Sequence, residues 1–184
     1  MQTQFSLPWV SLGPVINSAR VESIQLDHQR PGTFYVAFGS GNLWKTTNHG
    51  VSWNPIFENL PSHGIGDIAL APSNPEVIYI GTRESLRKQR NFTLPGNGIY
   101  RSSNGGESWE HRGLDQNWHC GEIVVHPENP DIVFVAAMGK FWSPGSDQGI
   151  YKSSNGGISW KKVLYVNERT RANDIVIAPS KPSV

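Results

Sequence analysis

Short apolar runs recur along the whole chain, and residues that favour turns separate them. Residues 34–38, 77–80 and 132–135 are rich in β-branched and aromatic side chains, and Gly, Pro, Asn or Asp residues bound each run. Runs of this length with such boundaries are typical of short β-strands joined by tight turns. The hydrophobic pattern therefore predicts an all-β protein.

The predicted strands repeat in units of four. Ile24 and Tyr35, in the first two strands of the first unit, are 11 residues apart, and their counterparts in the next two units have the same separation. The third and fourth strands also keep a fixed separation, whereas the distance from the second strand to the third varies. Four strands in a unit of roughly forty to fifty residues are typical of one β-propeller blade.

The repeat predicts a partial β-propeller with three four-stranded blades at residues 21–57, 65–112 and 120–164. Residues 5–13 match the outer strand of a closing blade, and residues 172–184 match the start of a next blade. Propellers usually have about four to eight blades. We therefore expect a single propeller fragment with N- and C-terminal partial blades, the remaining blades being missing from the chain; the alternative is a complete, open three-bladed domain.

One stretch of eight residues occurs in every unit, with the constant pattern Ser/Thr-x-Asn-x-Gly-x-Ser-Trp. Asn and Gly adopt left-handed backbone readily, and the hydroxyl and amide groups can bond nearby backbone, so the stretch predicts a rigid hairpin turn. We expect positive φ at the Gly that all three copies share, and a buried Trp beside the turn. These structural residues are Thr46, Asn48, Gly50 and Trp53 in the first copy, Ser102, Asn104, Gly106 and Trp109 in the second, and Ser153, Asn155, Gly157 and Trp160 in the third.

The repeated stretch resembles the Asp-box, or BNR repeat, with Asn48, Asn104 and Asn155 in the Asp position. In the families that carry this box, it forms the hairpin between the outer two strands of a propeller blade, remote from the active face. The resemblance spans nearly the whole chain and is nearest to the N-terminal part of sortilin-like or BNR "glycosyl hydrolase" proteins. It implies a β-propeller and says little about activity.

Composition excludes several classes of protein. The net charge of +1 is far from the basic balance of a nucleic-acid binder, and no apolar run approaches the ~18 residues of a membrane-spanning helix. Residues 1–4 lack the features of a signal peptide, although the resemblance implies a secreted or periplasmic protein. Cys120 is the single cysteine, so cysteine usage leaves the compartment open.

The variable distance between second and third strands indicates where a ligand would bind. In a propeller, these loops and the loops between blades share one face, opposite the boxes, and variable loops on a fixed scaffold often carry function. Arg and exposed aromatic side chains suit sugars, carboxylates or peptides, whereas the alternative is an ordinary solvated loop. The candidate ligand-binding residues are Arg83, Arg87, Arg90, Trp118, His119, Phe141, Trp142 and Arg169.

Catalytic chemistry is not evident. Asp67, Glu122 and Asp174 hold the same place in successive blades, so a repeated structural role explains them more simply than a glycosidase carboxylate pair. By the resemblance to xyloglucanase-like enzymes, one catalytic Asp falls on Gly39, where the acid is missing. His spacing suits no metal site and no phosphate-binding motif occurs, so we predict no catalytic residue, metal or cofactor.

The leading hypothesis is a non-catalytic, sortilin-like recognition module that binds a protein, peptide or glycan on its loop-rich face. The alternative is a fragment of a glycoside hydrolase of the xyloglucanase-like BNR family whose catalytic acids lie largely outside this chain. A third reading is a purely structural arm for assembly. Open blade flanks would expose apolar surface, so we also expect self-association.

Overall fold

The computed structural model describes residues 20–62, 64–83, 96–116, 119–140, 143–178 and 182. The described residues form twelve β-strands and no helix. The strands are β1 (Val21–Leu26), β2 (Phe34–Phe38), β3 (Asn42–Thr46), β4 (Asn54–Pro55), β5 (Ile65–Ala71), β6 (Asn74–Thr82), β7 (Ile99–Ser102), β8 (Glu110–His111), β9 (Cys120–Val125), β10 (Val133–Ala137), β11 (Gly149–Ser153) and β12 (Lys161–Leu164).

The strands form three antiparallel sheets of four, in which neighbours in the sheet are neighbours in the chain. We call them blade 1 (β1–β4), blade 2 (β5–β8) and blade 3 (β9–β12). The first strands of successive blades are in contact, β1 with β5 and β5 with β9. The blades therefore stack side by side with their first strands innermost, as in a propeller. The predicted all-β, partial-propeller architecture is confirmed.

The strand register is the same in every blade, as the constant spacings predict. Ile68 pairs with Ile80 and Ile123 pairs with Val135, at the same offset as Ile24 and Val36. The third and fourth strands repeat their register equally well: Trp44 pairs with Pro55, Tyr100 with His111 and Tyr151 with Lys162.

The box Trp lies just outside the strands, because the fourth strand of each blade begins at the next residue, at Asn54, Glu110 and Lys161. One expectation needs correction: residues 172–184 were expected to start a next blade, but their described part, 172–178, forms no strand, because a strand requires a hydrogen-bonded neighbour and none of the described residues pairs with this segment. The segment nevertheless runs past β9, since a Cβ on Gly121 would lie 2.5 Å from the Asn173 carbonyl oxygen.

Each box forms the same network of hydrogen bonds around a buried hydroxyl. The Ser102 Oγ accepts from the Gly106 N–H at 2.9 Å and donates to Asn104 Oδ1 at 2.9 Å. Asn104 Oδ1 also accepts from the Ser108 N–H at 3.0 Å, and its Nδ2 donates to Ser108 Oγ at 2.8 Å. The first and third boxes repeat these bonds. The Asn amide thus occupies the Asp position with both its oxygen and its nitrogen bonded.

The expected left-handed backbone is present at all three box glycines. The φ angles are 86° at Gly50, 93° at Gly106 and 85° at Gly157. The end of the box Trp ring lies over each glycine, at 3.5 Å from a Cβ built on Gly106. Glycine therefore satisfies both the backbone angle and the close approach of the ring.

Gly106→Ala is expected to lower the free energy of unfolding by about 1–2 kcal/mol, because an L side chain is disfavoured in left-handed backbone. The new Cβ would also lie 2.6 Å from Ile56 Cδ1, which must move. Chemical unfolding measures the change. Ser103→Ala, at an exposed position of the same turn, is the control and should stay within about 0.5 kcal/mol of the parent. Equal stability of the two variants would contradict the conclusion that the left-handed backbone at Gly106 requires glycine.

Two hydrophobic cores lie between the blades, and they hold the sheets together. The box Trp of one blade seals the outer end of each core by reaching the preceding blade: Trp109 Nε1 donates to the Ile56 carbonyl at 2.7 Å and Trp160 Nε1 to the Arg112 carbonyl at 2.6 Å. The box Trp residues are half-buried, which corrects the expected burial, because the residues on either side of each Trp are exposed. The core between blades 1 and 2 includes Tyr35, Leu43, Phe57, Ile68, Ile80 and Tyr100, and that between blades 2 and 3 includes Tyr79, Ile99, Ile123, Val133 and Val135.

Across the part of the chain that the structure describes, no helix is long and apolar enough to cross a membrane.

Candidate functional site

One end of the blades carries the boxes. The Gly105 N–H donates to the Glu76 carbonyl at 2.9 Å, and the Gly156 N–H donates to the Asp131 carbonyl at 2.9 Å. Glu76 lies near the turn from β5 to β6, and Asp131 lies in the turn from β9 to β10. The boxes and these turns therefore share one side, which we call the box face.

The opposite end, the loop face, carries the connections from second to third strands and from blade to blade. Backbone hydrogen bonds tie the two kinds of connection together: the Arg83 N–H donates to the Gly64 carbonyl at 2.7 Å, and the Met138 N–H donates to the His119 carbonyl at 3.0 Å. Gly64 and His119 belong to the connections between blades. The sequence argument that these loops share a face agrees with these contacts.

The candidate ligand-binding residues differ in their surroundings. Arg83 is 3% exposed and His119 is fully buried, so neither side chain is presented to solvent. The Arg83 backbone packs closely against Gly66: its carbonyl oxygen would lie 2.2 Å from a Cβ added to that glycine. Arg169 is exposed. Arg87, Arg90, Trp118, Phe141 and Trp142 lie outside the described residues.

Arg169 stands on a turn fixed by Asn167. The Asn167 Oδ1 accepts from the Arg169 N–H at 2.8 Å and from the Thr170 hydroxyl at 3.1 Å. An Asn that bonds the backbone two residues later is a known turn-forming arrangement. Asn167 was not among the sequence candidates, although this turn signal is readable in residues 167–170.

The turn is joined to the β10–β11 connection by three further bonds. The buried Gln148 donates its Nε2 to the Asn167 carbonyl at 3.2 Å, the Gly145 N–H donates to the Glu168 carbonyl at 3.2 Å, and Arg171 Nη2 donates to the Lys140 carbonyl at 2.7 Å. Sequence reasoning places Lys140 and Arg171 in these loops but does not name Gln148. It could not find the bonds that join the loops, because a bond between loops leaves no local pattern. We call the described residues 138–140, 143–148 and 165–171 the paired loops.

The repeated carboxylates lie on the innermost strands. Asp67 is buried and accepts a hydrogen bond from the Ile123 N–H of blade 3 at 2.7 Å. Burial raises the pKa of Asp67 to about 6. Glu122 is half-buried, and its pKa rises to about 7 because of burial first and the nearby charges of Asp67 and Asp174 second. Asp67 therefore joins two blades, in the manner of a structural residue.

A cavity of about 490 Å³ lies between blades 1 and 2 on the side of the second box. Ile56, Phe57 and Trp109 provide apolar lining, and Glu58 and Glu107 add carboxylates. Within the described residues, no group of three or more His, Cys, Asp or Glu side chains is placed to hold a metal ion.

Comparison with known proteins identifies the family. The Sortilin-Vps10 model (sortilin, neurotensin receptor 3) matches residues 41–176, which is more than half of the chain. The chain belongs to the Sortilin-Vps10 family. The matched range contains all three boxes, the whole core between blades 2 and 3 and most of the core between blades 1 and 2, so it rests on the repeated features described above.

This Sortilin-Vps10 chain is also similar to proteins named xyloglucanases. It is 25% identical over 177 residues to xyloglucanase Xgh74A of Acetivibrio thermocellus, covering 78% of this chain and 20% of that protein. It is 25% identical over 181 residues to a xyloglucanase of a Paenibacillus species, covering 80% of this chain and 16% of the relative. The chain thus spans a fifth or less of the length of these relatives.

Solved structures of similar fold include an ancestral GH74 enzyme, with a TM-score of 0.65 and 24% identity over 83% of this chain and 19% of the other. YCF48 from Cyanidioschyzon merolae matches with a TM-score of 0.55 and 16% identity, over 81% of this chain and 38% of the other. At these identities the likeness establishes the fold of the Sortilin-Vps10 chain and not its activity.

Proposed function

We propose that this chain is a non-catalytic recognition module that binds a protein, peptide or glycan through its loop face. The supporting observation is the arrangement of the paired loops, which hold the exposed Arg169 on a turn bonded to its neighbour by backbone and buried side-chain contacts. A binding residue on a fixed turn loses less conformational entropy when it binds a ligand than a residue on a flexible loop does.

The chemistry of the paired loops favours a ligand with a carboxylate. Arg169 presents a planar guanidinium that can donate two parallel hydrogen bonds to a carboxylate, and such charge-assisted pairs are the stronger kind. Lys140 and Arg171 add two more cationic side chains to the same loops. The exposed Tyr165 provides an aromatic surface at the start of the second loop, which suits a sugar or an apolar peptide side chain. Acidic peptides and acidic glycans are therefore the first ligands to test.

An array of peptides and glycans, half of them carrying carboxylates, tests the proposal. Arg169→Ala is expected to weaken binding to the selected ligand by about tenfold, the effect of losing one charge-assisted hydrogen bond at a surface site. Lys161→Ala, which removes an exposed charge from β12 outside the paired loops, is the matched control and should bind normally. Equal weakening by both variants would indicate a general charge effect, and no weakening by Arg169→Ala would place binding elsewhere.

A second candidate is part of a glycoside hydrolase, and the similarity to xyloglucanases favours it. Glu122 adds a chemical reason, because a half-buried carboxyl with a pKa of about 7 can act as a general acid near neutral pH. Incubation with xyloglucan separates the two candidates. We expect no release of reducing sugar; release that disappears in Glu122→Gln would support the hydrolase.

A further inference from the structure

The cavity of about 490 Å³ beside the second box lies between two blades that both belong to this chain. Its blade 1 side is formed by residues 55–60, and its blade 2 side by residues 106–109 of the box. The bond from the Trp109 indole to the Ile56 carbonyl joins the two sides at 2.7 Å. Cavities of roughly 300–1,000 Å³ are typical of ligand sites. The cavity is therefore large enough for a ligand, at a junction that the chain itself completes.

The lining of the cavity combines apolar side chains with two carboxylates. Ile56, Phe57, Leu60 and Trp109 provide the apolar part, and Glu58 and Glu107 are exposed.

Neither carboxylate has an ion-pair partner within the described residues. Lys45 acts on Glu107 through its charge, but its ammonium is bonded to the Gly105 carbonyl at 2.9 Å. Both carboxylates are therefore available to a cation from outside the chain.

The two acids stand at positions that the other blades fill with apolar residues. Counted from the box Trp, the counterparts of Glu58 are Leu114 and Tyr165, and those of Glu107 are Val51 and Ile158. Val51 is 84% exposed and Ile158 is 71% exposed, so the box turn forms without a charge at this position. The carboxylates are thus a property of this junction and not a requirement of the repeat.

The junction between blades 2 and 3 shows which group fits beside a box. Arg112 occupies there the position of Ile56, and its carbonyl accepts from the Trp160 indole at 2.6 Å. A Cβ added to Gly157 would lie 2.9 Å from Arg112 Cβ and 3.3 Å from its Cγ, so the aliphatic stem of Arg112 lies against the box. Its guanidinium donates to the Glu110 carboxylate. The fold therefore already places an arginine with its stem on a box and its head on a carboxylate.

We propose that the cavity between blades 1 and 2 binds an arginine side chain of a partner protein. The apolar lining contacts the aliphatic stem, and Glu58 and Glu107 accept hydrogen bonds from the guanidinium. Arginine suits two carboxylates better than lysine does, because its planar group presents five donors in a fixed fork. The cavity lies beside a box and not on the loop face, so this proposal does not rest on the proposed function.

Titration with a capped peptide, Gly-Leu-Arg-Leu-Gly, tests the proposal. NMR follows the indole N–H signal of Trp109, which lines the cavity and should shift as the peptide binds. The same peptide with citrulline in place of arginine has nearly the same shape and no charge. We expect the citrulline peptide to bind about tenfold more weakly, because it loses the charge-assisted hydrogen bonds.

Three variants locate the binding. Glu58→Gln and Glu107→Gln are each expected to weaken binding of the arginine peptide by about fivefold, the upper end for an exposed ion pair. Glu128→Gln is the matched control, because it removes the same charge from an exposed position in the β9–β10 turn and should bind normally. Arg169→Ala, on the loop face, should also bind normally, so failure of this proposal can be told apart from failure of the proposed function.

Each outcome decides the proposal. An unchanged Trp109 signal in the presence of the arginine peptide would overturn it. Equal binding of the citrulline peptide would show that the cavity accepts apolar chains without recognising a cation, and would also overturn it. Equal weakening by Glu128→Gln would mean that the peptide is attracted by the acidic surface in general and not by this cavity.

Discussion

Replacement of Trp109 by alanine is expected to lower the free energy of unfolding by about 3–5 kcal/mol, the range for removal of a large aromatic side chain from a packed site. The Trp109 ring packs edge-to-face on Phe57 with centroids 5.4 Å apart and lies over the left-handed Gly106. Its N–H bonds the Ile56 carbonyl across the junction of blades 1 and 2 at 2.7 Å. Alanine would remove the ring from both blades at once.

Urea unfolding followed by circular dichroism measures this loss, and Trp109→Phe separates its two causes. Phenylalanine keeps much of the packing but cannot donate to Ile56, so we expect that variant to lose about 1 kcal/mol for the missing hydrogen bond in addition to any change in packing. Trp53→Ala is an informative comparison, because Trp53 packs on Phe34 within blade 1, with centroids 5.1 Å apart. An unfolding midpoint for Trp109→Ala equal to that of the unaltered chain would show that the ring does not join the blades.

The architecture was predictable because its determinants are local and repeated. The box carries its own hydrogen bonds, from the Ser102 hydroxyl to Asn104 and Gly106, so its conformation is largely encoded by eight residues. Constant spacing then fixes the register, as in the pairing of Ile68 with Ile80. The start of a next blade expected at residues 172–184 forms no strand in residues 172–178 for the opposite reason, because strand formation depends on a partner that the segment's own sequence cannot supply.

The candidate site was harder to predict, because exposure depends on contacts between distant residues. Arg83 follows a strand and precedes a long connection, which suggests a surface position, yet Gly64 and Gly66 bring the chain close enough to bury it. His119 is buried for a similar reason, since its carbonyl bonds Met138 of the next strand connection. Arg169 is exposed, and the Asn167 turn beneath it is the local signal that explains its position.

The carboxylates of the innermost strands are expected to make stability depend on pH. Asp67 has a pKa of about 6 in the folded protein against 3.8 for the unperturbed group, chiefly because burial disfavours its charged form. The groups that face it are Glu122 and Asp174, which carry like charges, and the buried thiol of Cys120, whose pKa is raised by burial. Like charges on neighbouring blades therefore add to the effect of burial.

The sign of the effect follows from proton binding. Between the unfolded and folded pKa values, the folded protein binds more protons at Asp67 than the unfolded chain, so stability falls as pH rises through this window. The stabilisation contributed by protonated Asp67 is fully present below about pH 4 and is lost as pH rises past about 6. Glu122 extends the pH range over which stability falls to about 7. A shift of about two units at Asp67 corresponds to roughly 3 kcal/mol. We expect the chain to be more stable at pH 5 than at pH 8 on this account.

Urea unfolding at pH 5 and pH 8 measures the difference, and three variants assign it. Asp67→Asn keeps an oxygen that can accept from the Ile123 N–H but cannot ionise, so the gain in stability at pH 5 should become much smaller. Glu122→Gln should reduce it by a lesser amount, because Glu122 is only half-buried and is screened by solvent. Glu107→Gln, on the exposed part of the second box, should keep the full difference. A pH dependence that survives in Asp67→Asn would mean that the carboxylate is not the group whose protonation stabilises the contact between blades 2 and 3.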